Sequence, residues 1–223
     1  MKAVKVAIVI PAFNESESII SVVAGISDYG TAIVVDDGST DGTGRLAQNA
    51  GAFVVTHEVN RGYDAALASG LARAMTEGFD IAITVDGDGQ HDPSRINGVL
   101  RELDDGADLV VGVRDRLQRV SESLFAYVAK TLWGISDPLC GLKGYRLSKL
   151  RSIGSLCTYR SIGTELTIHA ARSSWDIRQV PIPTRERQGS SRFGSGLRAN
   201  WQIFRAMMRG IFLCRTFLSD SRR

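Results

Sequence analysis

A chain of 223 residues is long enough for one full-sized α/β domain and too short for two. Hydrophobic residues at 43% and charged residues at 23% exclude extensive disorder, and no apolar run reaches the ~20 residues that would cross a bilayer. The net charge is +3, but residues 185–223 hold nine Arg against Glu186 and Asp220, a surplus of +7 that leaves −4 on the first 184 residues. An acidic body with a basic tail points the tail at an anionic partner, phosphate or membrane, with no nucleic acid expected.

Five short runs rich in β-branched residues read as buried strands: "VKVAIVI" (4–10), "AIVVD" (32–36), "AFVVT" (52–56), "IAITVD" (81–86) and "DLVVGV" (108–113). The first, extended to "VKVAIVIPAF", is too short for a signal peptide and runs straight into polar sequence. Residues 17–27, 42–50, 62–77 and 93–103 carry helical spacing or helix formers between the strands. Strands separated by helices form βαβ units, so the expected fold is a Rossmann-like α/β sandwich: a mostly parallel sheet flanked by helices. The second half is less regular. A helix around 164–173 and a strand "IRQVPIP" (177–183) lead into the loop "RERQGSSRFGSG" and then into a C-terminal amphipathic helix. That last helix repeats Trp201, Ile203, Phe204, Met207, Met208, Ile211 and Phe212 at i, i+3, i+4, i+7 spacing. The expected division is a domain over 1–195 and a basic amphipathic segment over 196–223. Cys140, Cys157 and Cys214 make no CxxC pair and no zinc spacing with His57, His91 or His169, which fits reduced thiols in a cytoplasmic protein.

Sheets of this kind bind ligands beyond the carboxyl ends of their strands. The residues at those junctions are "PAFNE" (11–15), "DDGSTDGT" (36–43), "HEVNRGYDAAL" (57–67), "DGDGQHDP" (86–93) and "VRDR" (113–116). All five bear carboxylates, a density that suits a site better than solvated turns alone.

The stretch "ITVDGDGQHD" brings Asp86 and Asp88 to a strand end with no Lys or Arg between them. Two such carboxylates raise each other's pKa unless a cation holds them. Asp86, Asp88 and Gln90 are hard oxygen ligands, suited to Mg²⁺ or Mn²⁺ and not to zinc. An EF-hand is excluded, because its sixth and twelfth positions would be His91 and Asn97. Mg²⁺ held by one or two carboxylates takes its other ligands from phosphate oxygens and water, so this turn suits a diphosphate. Asp92, just before Pro93, reads instead as the cap of the next helix. A strand followed by Asp-x-Asp also fits haloacid-dehalogenase-type phosphatases, although that chemistry leaves "PAFNE" and "VVDDGSTDGT" without a role.

"IVIPAFNE", "VVDDGSTDGT", "NRGYDAALASGL", "TVDGDGQHDP", "DPLCGLKGYR" and "RERQGSSRFG" occur here in one order, over roughly residues 4 to 195. Together they resemble the family 2 glycosyltransferases of the GT-A fold, above all their polyprenol-phosphate branch, whose type member is dolichol-phosphate mannosyltransferase. The resemblance implies a nucleotide diphosphate sugar donor, GDP- or UDP-linked, and a polyprenyl phosphate acceptor. It places Pro11, Phe13 and Glu15 at the base and ribose, with Val35 and Asp37 edging the base and Asp36 beside them. Asp86, Gly87 and Asp88 match the DxD motif, with Gln90 as a further metal ligand. Arg114 resembles an Arg at the sugar diphosphate, and Arg192 a cation that clamps it. Arg185 and Arg187 compete for the preceding loop position, with Arg187 preferred.

A lipid phosphate is already an oxyanion, so its attack on a sugar needs no catalytic base, only cations and hydroxyl donors that hold it in line. Arg119 and Ser123 lie four apart, on one face if residues 118–133 are helical. They look like the family's pair for that phosphate, which makes Asp88, Arg114, Arg119 and Ser123 the expected catalytic set. Asp137, Lys143 and Arg146 fit a floor beneath the acceptor. Glu165 falls where other family 2 enzymes place a catalytic carboxylate, the candidate base if the acceptor were a glycan or protein hydroxyl. A non-catalytic nucleotide-sugar binding subunit is the alternative of a different class. The tail suggests a helix lying on anionic lipid, with Arg198, Arg205, Arg209 and Arg215 beside its apolar stripe. Packing on the domain or on a partner serves that stripe equally, and a membrane subunit or a homo-oligomer would supply such a partner. The expected location is the cytoplasmic face of the membrane, by peripheral association.

Overall fold

The computed structural model describes residues 3–88, 92–117, 119–153, 156, 161–183, 200–201, 203–208 and 211. Among the described residues, seven strands make one sheet: β1 (Val6–Ala12), β2 (Thr31–Asp36), β3 (Phe53–Thr56), β4 (Ile81–Thr84), β5 (Leu109–Arg114), β6 (Lys143–Arg146) and β7 (Ile177–Ile182). Their order is β3-β2-β1-β4-β6-β5-β7. All neighbours run parallel except β6, which is antiparallel to both β4 and β5. The helices are α1 (Ile19–Ile26), α2 (Thr43–Asn49), α3 (Tyr63–Thr76), α4 (Ile96–Asp104), α5 (Val120–Trp133), α6 (Leu147–Ile153) and α7 (Ile162–Arg172). A 3₁₀ turn, Pro93–Arg95, leads into α4.

The continuous apolar runs of the strands are divided between two cores by the period of two. Ala7, Val9, Ile33, Ala82, Leu109 and Val111 point to one face, where α3, α5, α6 and α7 pack. Ile8, Ile10, Ala32, Val34, Ile81, Ile83 and Val110 point to the other, under α1, α2 and α4. Burial on both faces is why these strands are hydrophobic throughout and do not alternate.

The expected strands and helices of the first half recur within a residue or two. The exception is β6: "KGYR" contains Lys143, Gly144 and Arg146 and carries no strand signature, yet it forms a central strand. Gly144 sits there because Val99 and Leu103 of α4 occupy the space a side chain would fill. The expected strand over 177–183 is β7, at the sheet edge beside β5. Residues 200–201, 203–208 and 211 are helical, as the apolar spacing implied. Ile203, Ala206 and Met207 are buried in the same core as Phe125 and Ala129 of α5, whereas Trp201 and Phe204 are exposed. One side of this helix therefore packs on the domain.

The turn after β2 depends on Gly38, whose φ of 75° lies in the left-handed region. A Cβ there would also come within 2.6 Å of Asn60 N and of the Val59 carbonyl carbon. Gly38→Ala is expected to destabilise the fold by about 1–3 kcal/mol, read as a lower urea midpoint. An unchanged midpoint would contradict this packing.

Candidate active site

Two loops at the carboxyl end of the sheet are laced together by short hydrogen bonds. Backbone N–H groups of Asn14, Glu15 and Ser16 donate to Ser39 Oγ (3.0 Å), Thr43 Oγ1 (2.8 Å) and Asp41 Oδ2 (3.0 Å). Asn14 adopts a φ of 53°, and its Oδ1 accepts from Thr40 N at 3.0 Å. Pro11 is buried in β1, Phe13 is 43% exposed at the strand end, and half-buried Glu15 accepts from Ser18 Oγ through Oε2 at 3.1 Å. Val35, expected at the edge of a base, is fully buried in the sheet against Gly70 of α3. Its side chain shapes the core and does not face the crevice.

Asp37 is 3% exposed, and its carboxylate meets three donors. Oδ1 lies 2.6 Å from His57 Nδ1 and accepts Arg61 N at 2.9 Å, while Oδ2 accepts Gly62 N at 2.8 Å. A carboxylate only accepts, so the proton of this His57 contact is on Nδ1. On its other side, His57 Nε2 is 2.9 Å from Ser69 Oγ in α3. Asp37 thus anchors the loop 57–62. Asp36 is buried beside it and accepts Ser39 N through Oδ1 at 3.0 Å.

That loop delivers Tyr63, the first residue of α3, whose hydroxyl donates to Asp86 Oδ1 at 3.1 Å. Asp86 and Asp88 follow β4, with Gly87 held by Ser18 Oγ, which donates to its carbonyl at 2.8 Å. Gly141 backs Asp86 so closely that a Cβ would lie 2.5 Å from Oδ2. Gln90 lies outside the described residues, as do Arg185, Arg187 and Arg192. Asp92 caps the next helical turn: Oδ1 accepts Ser94 N at 3.1 Å, and Pro93 takes the first position. Among the described residues, no group of three or more His, Cys, Asp and Glu is placed to hold a metal. Asp86 and Asp88 form an all-oxygen pair, which fits a divalent ion completed by phosphate oxygens and water.

Arg114 ends β5 and grips Asp137 through Nε (2.7 Å, to Oδ2) and Nη2 (3.0 Å, to Oδ1). Burial works against its charge, but the Asp137 bonds outweigh this and hold its pKa above the ordinary guanidinium value. Glu122, 5% exposed, lies 3.4 Å from Arg114 Nη1 and accepts Arg119 Nη1 at 3.1 Å. Arg119 is the N-cap of α5, outside the helix proper. Ser123 is exposed, with its Oγ 3.5 Å from the Arg119 carbonyl.

The expected acceptor floor divides. Asp137 holds Arg114, and buried Lys143 donates through Nζ to the Pro138 carbonyl at 3.1 Å and to that of Cys140. Burial lowers the pKa of Lys143 and pushes that of Cys140 up to about 11. Arg146 is a correction: it donates to Leu103 O and Ala107 O, beyond the amino end of β5. Because β6 runs antiparallel, it starts at the crevice with Lys143 and carries Arg146 to the opposite edge. Glu165 is 8% exposed in the first turn of α7, whose Gly163 approaches Lys143 Nζ. Tyr63, Ser18, Gly141 and Glu122 were not singled out from the sequence. "NRGY" and "CGLKGYR" carried the only signal for the first and third.

A sheet with β1, β2 and β4 parallel, β6 inserted antiparallel and acidic junctions at one edge defines a Rossmann-like α/β protein of GT-A architecture. Residues 7–150 match the family described as "Glycosyl transferase family 2", and the chain belongs to it. It is 31% identical to the dolichyl-phosphate hexose transferase of Haloferax volcanii, over 83% of this chain and 85% of that one. It is 30% identical to the polyprenol monophosphomannose synthase of Mycolicibacterium smegmatis, over 88% and 86% of the two. Among solved structures, it superposes on glucosyl-3-phosphoglycerate synthase of Mycobacterium tuberculosis in complex with Mn²⁺ and UDP-glucose. The TM-score is 0.75 at 26% identity, covering 93% of this chain and 79% of that one.

Asp41 ties the loops after β1 and β2 together. Partial burial raises its pKa, but donors from Thr43 and Ser16 outweigh this and lower it from 3.8 to about 2. The folded value is depressed, so the stabilisation is complete above about 3.8 and lost as pH falls through about 2. Asp41→Asn is therefore expected to flatten the acid limb of a stability-versus-pH curve in that window, and an unaltered limb would refute the linkage. Gly141→Ala is expected to push the Asp86 carboxylate aside and raise the half-saturating Mn²⁺ concentration about tenfold in a thermal-shift titration with nucleoside diphosphate. Unchanged Mn²⁺ dependence would show that Asp86 has room to move.

Proposed function

We propose that this family 2 glycosyltransferase moves a single sugar, with inversion, from a nucleotide diphosphate sugar to a polyprenyl phosphate at the membrane surface. The observation that supports it most is the loop 137–142, which touches both halves of the crevice. Gly141 lies against Asp86, and Asp137 grips Arg114. The loop thus joins Asp86, of a carboxylate pair suited to a metal diphosphate, to Arg114, of a guanidinium pair suited to a phosphate.

In this reading Pro11, Phe13 and Glu15 line the nucleotide side, and Asp37 acts by holding the loop that presents Tyr63. Asp86 and Asp88 hold Mg²⁺ or Mn²⁺, which when bound offsets the charge of the departing diphosphate. Gln90, Arg187 and Arg192 supply a further ligand and two cations on the same side. Arg119 and Ser123 orient the acceptor phosphate, and Arg114 faces the sugar diphosphate. One acceptor oxygen attacks the anomeric carbon as the bond from that carbon to the diphosphate breaks, and the nucleoside diphosphate leaves. The acceptor is already ionised, so no proton has to be removed.

No helix among the described residues is long and apolar enough to cross a membrane. Val120, Leu124 and Tyr127 form an exposed apolar stripe on α5, and Ser121 Oγ donates to Asn200 Oδ1 of the C-terminal helix at 2.5 Å. Trp201 and Phe204 stack there with ring centroids 5.9 Å apart. These amphipathic surfaces, together with the basic composition of residues 185–223, suit peripheral attachment to the cytoplasmic face of an anionic bilayer.

The test is an assay of the full chain with Mn²⁺, GDP- and UDP-sugars and polyprenyl phosphate in mixed micelles. Formation of lipid-linked sugar is expected, with Asp88→Asn reducing it at least a hundredfold (about 2.7 kcal/mol of transition-state stabilisation). Full activity in Asp88→Asn would overturn the metal site. Transfer to a glycan or protein hydroxyl that collapses in Glu165→Gln would favour the second reading, in which that buried carboxylate is the base. Binding without any product would identify a non-catalytic subunit. A thermal-shift panel of nucleoside diphosphates names the donor's base, since the tightest ligand stabilises most.

A further inference from the structure

Two guanidinium groups meet at the N-terminal end of α5, and each is gripped by a different buried carboxylate. Asp137, 2% exposed, takes Arg114 through two hydrogen bonds. Glu122, 5% exposed, spans both cations, with Oε1 3.1 Å from Arg119 Nη1 and Oε2 3.4 Å from Arg114 Nη1. The chain Asp137–Arg114–Glu122–Arg119 alternates in sign and carries no net formal charge. A long guanidinium side chain left to itself loses rotamer freedom when it binds an anion. Buried carboxylates that hold it beforehand remove that cost at the moment of binding.

Glu122 lies three residues beyond Arg119, so the turn of α5 that presents Arg119 also carries the group that aims it. Its neighbour Ser123 faces outward, so one turn of helix divides its work: Glu122 inward to the cations, Ser123 toward the solvent side.

We infer that Glu122 is a positioning residue and sets acceptor recognition: it fixes Arg119 relative to Arg114, so that one guanidinium takes the acceptor phosphate while the other faces the donor. This inference rests on the transfer reading above. The two carboxylates then have separable effects. Without the Glu122 charge, Arg114 keeps both bonds to Asp137, whereas Arg119 loses the carboxylate that aims it. Without the Asp137 charge, the reverse holds.

Steady-state kinetics on the full chain, varying nucleotide sugar and polyprenyl phosphate independently, tests this. Glu122→Gln is expected to raise the acceptor KM about tenfold and leave the donor KM within about twofold. Asp137→Asn is expected to move the donor KM more than the acceptor KM. Because Glu122 acts through Arg119, the double variant Arg119→Gln/Glu122→Gln should be no worse than Arg119→Gln alone. A merely structural Glu122 would instead lower thermal stability with both KM values unchanged or shifted alike, and additive losses in the double variant would equally overturn the inference. Glu122→Asp, which keeps the charge on a shorter arm, gives the same split in milder form should the Gln variant not fold. A wild-type chain that transfers nothing to polyprenyl phosphate sinks both readings. Normal wild-type transfer with an unchanged acceptor KM in Glu122→Gln sinks this one alone.

Discussion

The antiparallel insertion of β6 between β4 and β5 is the constraint on which the site depends. Its register sets Thr84 opposite Lys143, so the segment before β6 is delivered to the carboxyl ends of the two strands that flank it. Thr84 Oγ1 reinforces the join by donating to the Gly141 carbonyl at 2.6 Å. An ammonium buried as deeply as that of Lys143 is costly, and here it donates to two carbonyls of the turn it closes. The turn so held puts Gly141 against Asp86 and Asp137 against Arg114. A parallel strand in the same slot would have delivered that segment to the opposite edge of the sheet.

Charge is compensated locally throughout the crevice. Asp37 is satisfied by two backbone amides and an imidazole, Arg114 by Asp137, and Glu122 by two guanidinium groups. Buried ions without such partners would be strongly destabilising. The same pairing makes the side chains rigid before any ligand arrives, which suits a reaction whose catalysis is mostly positioning and charge stabilisation. Asp86 is restrained as well, by the Tyr63 hydroxyl at Oδ1 and by the close approach of Gly141, contacts that orient its carboxylate.

The C-terminal helix joins body and surface. Ile203, Ala206 and Met207 complete the core over α5, while Trp201 and Phe204 stay exposed. Of the apolar stripe, packing on the domain accounts for Ile203, Ala206 and Met207 and leaves Trp201 and Phe204 exposed.

From the sequence alone, the doubly covered sheet, its acidic edge and the Asp86–Asp88 turn were legible, because each is encoded by local periodicity or by adjacent residues. The capping role of Asp92 was legible for the same reason. Long-range pairing was not. That β6 exists, that Arg146 leaves the site while Lys143 enters it, and that Glu122 ties Arg114 to Arg119 all follow from strand order. So does the engagement of Asp37 with residues 57–62, and so does the burial of Val35. Strand order is settled by the packing of helices on two faces of the sheet, which brings together residues tens of positions apart and leaves no periodic trace in any one segment.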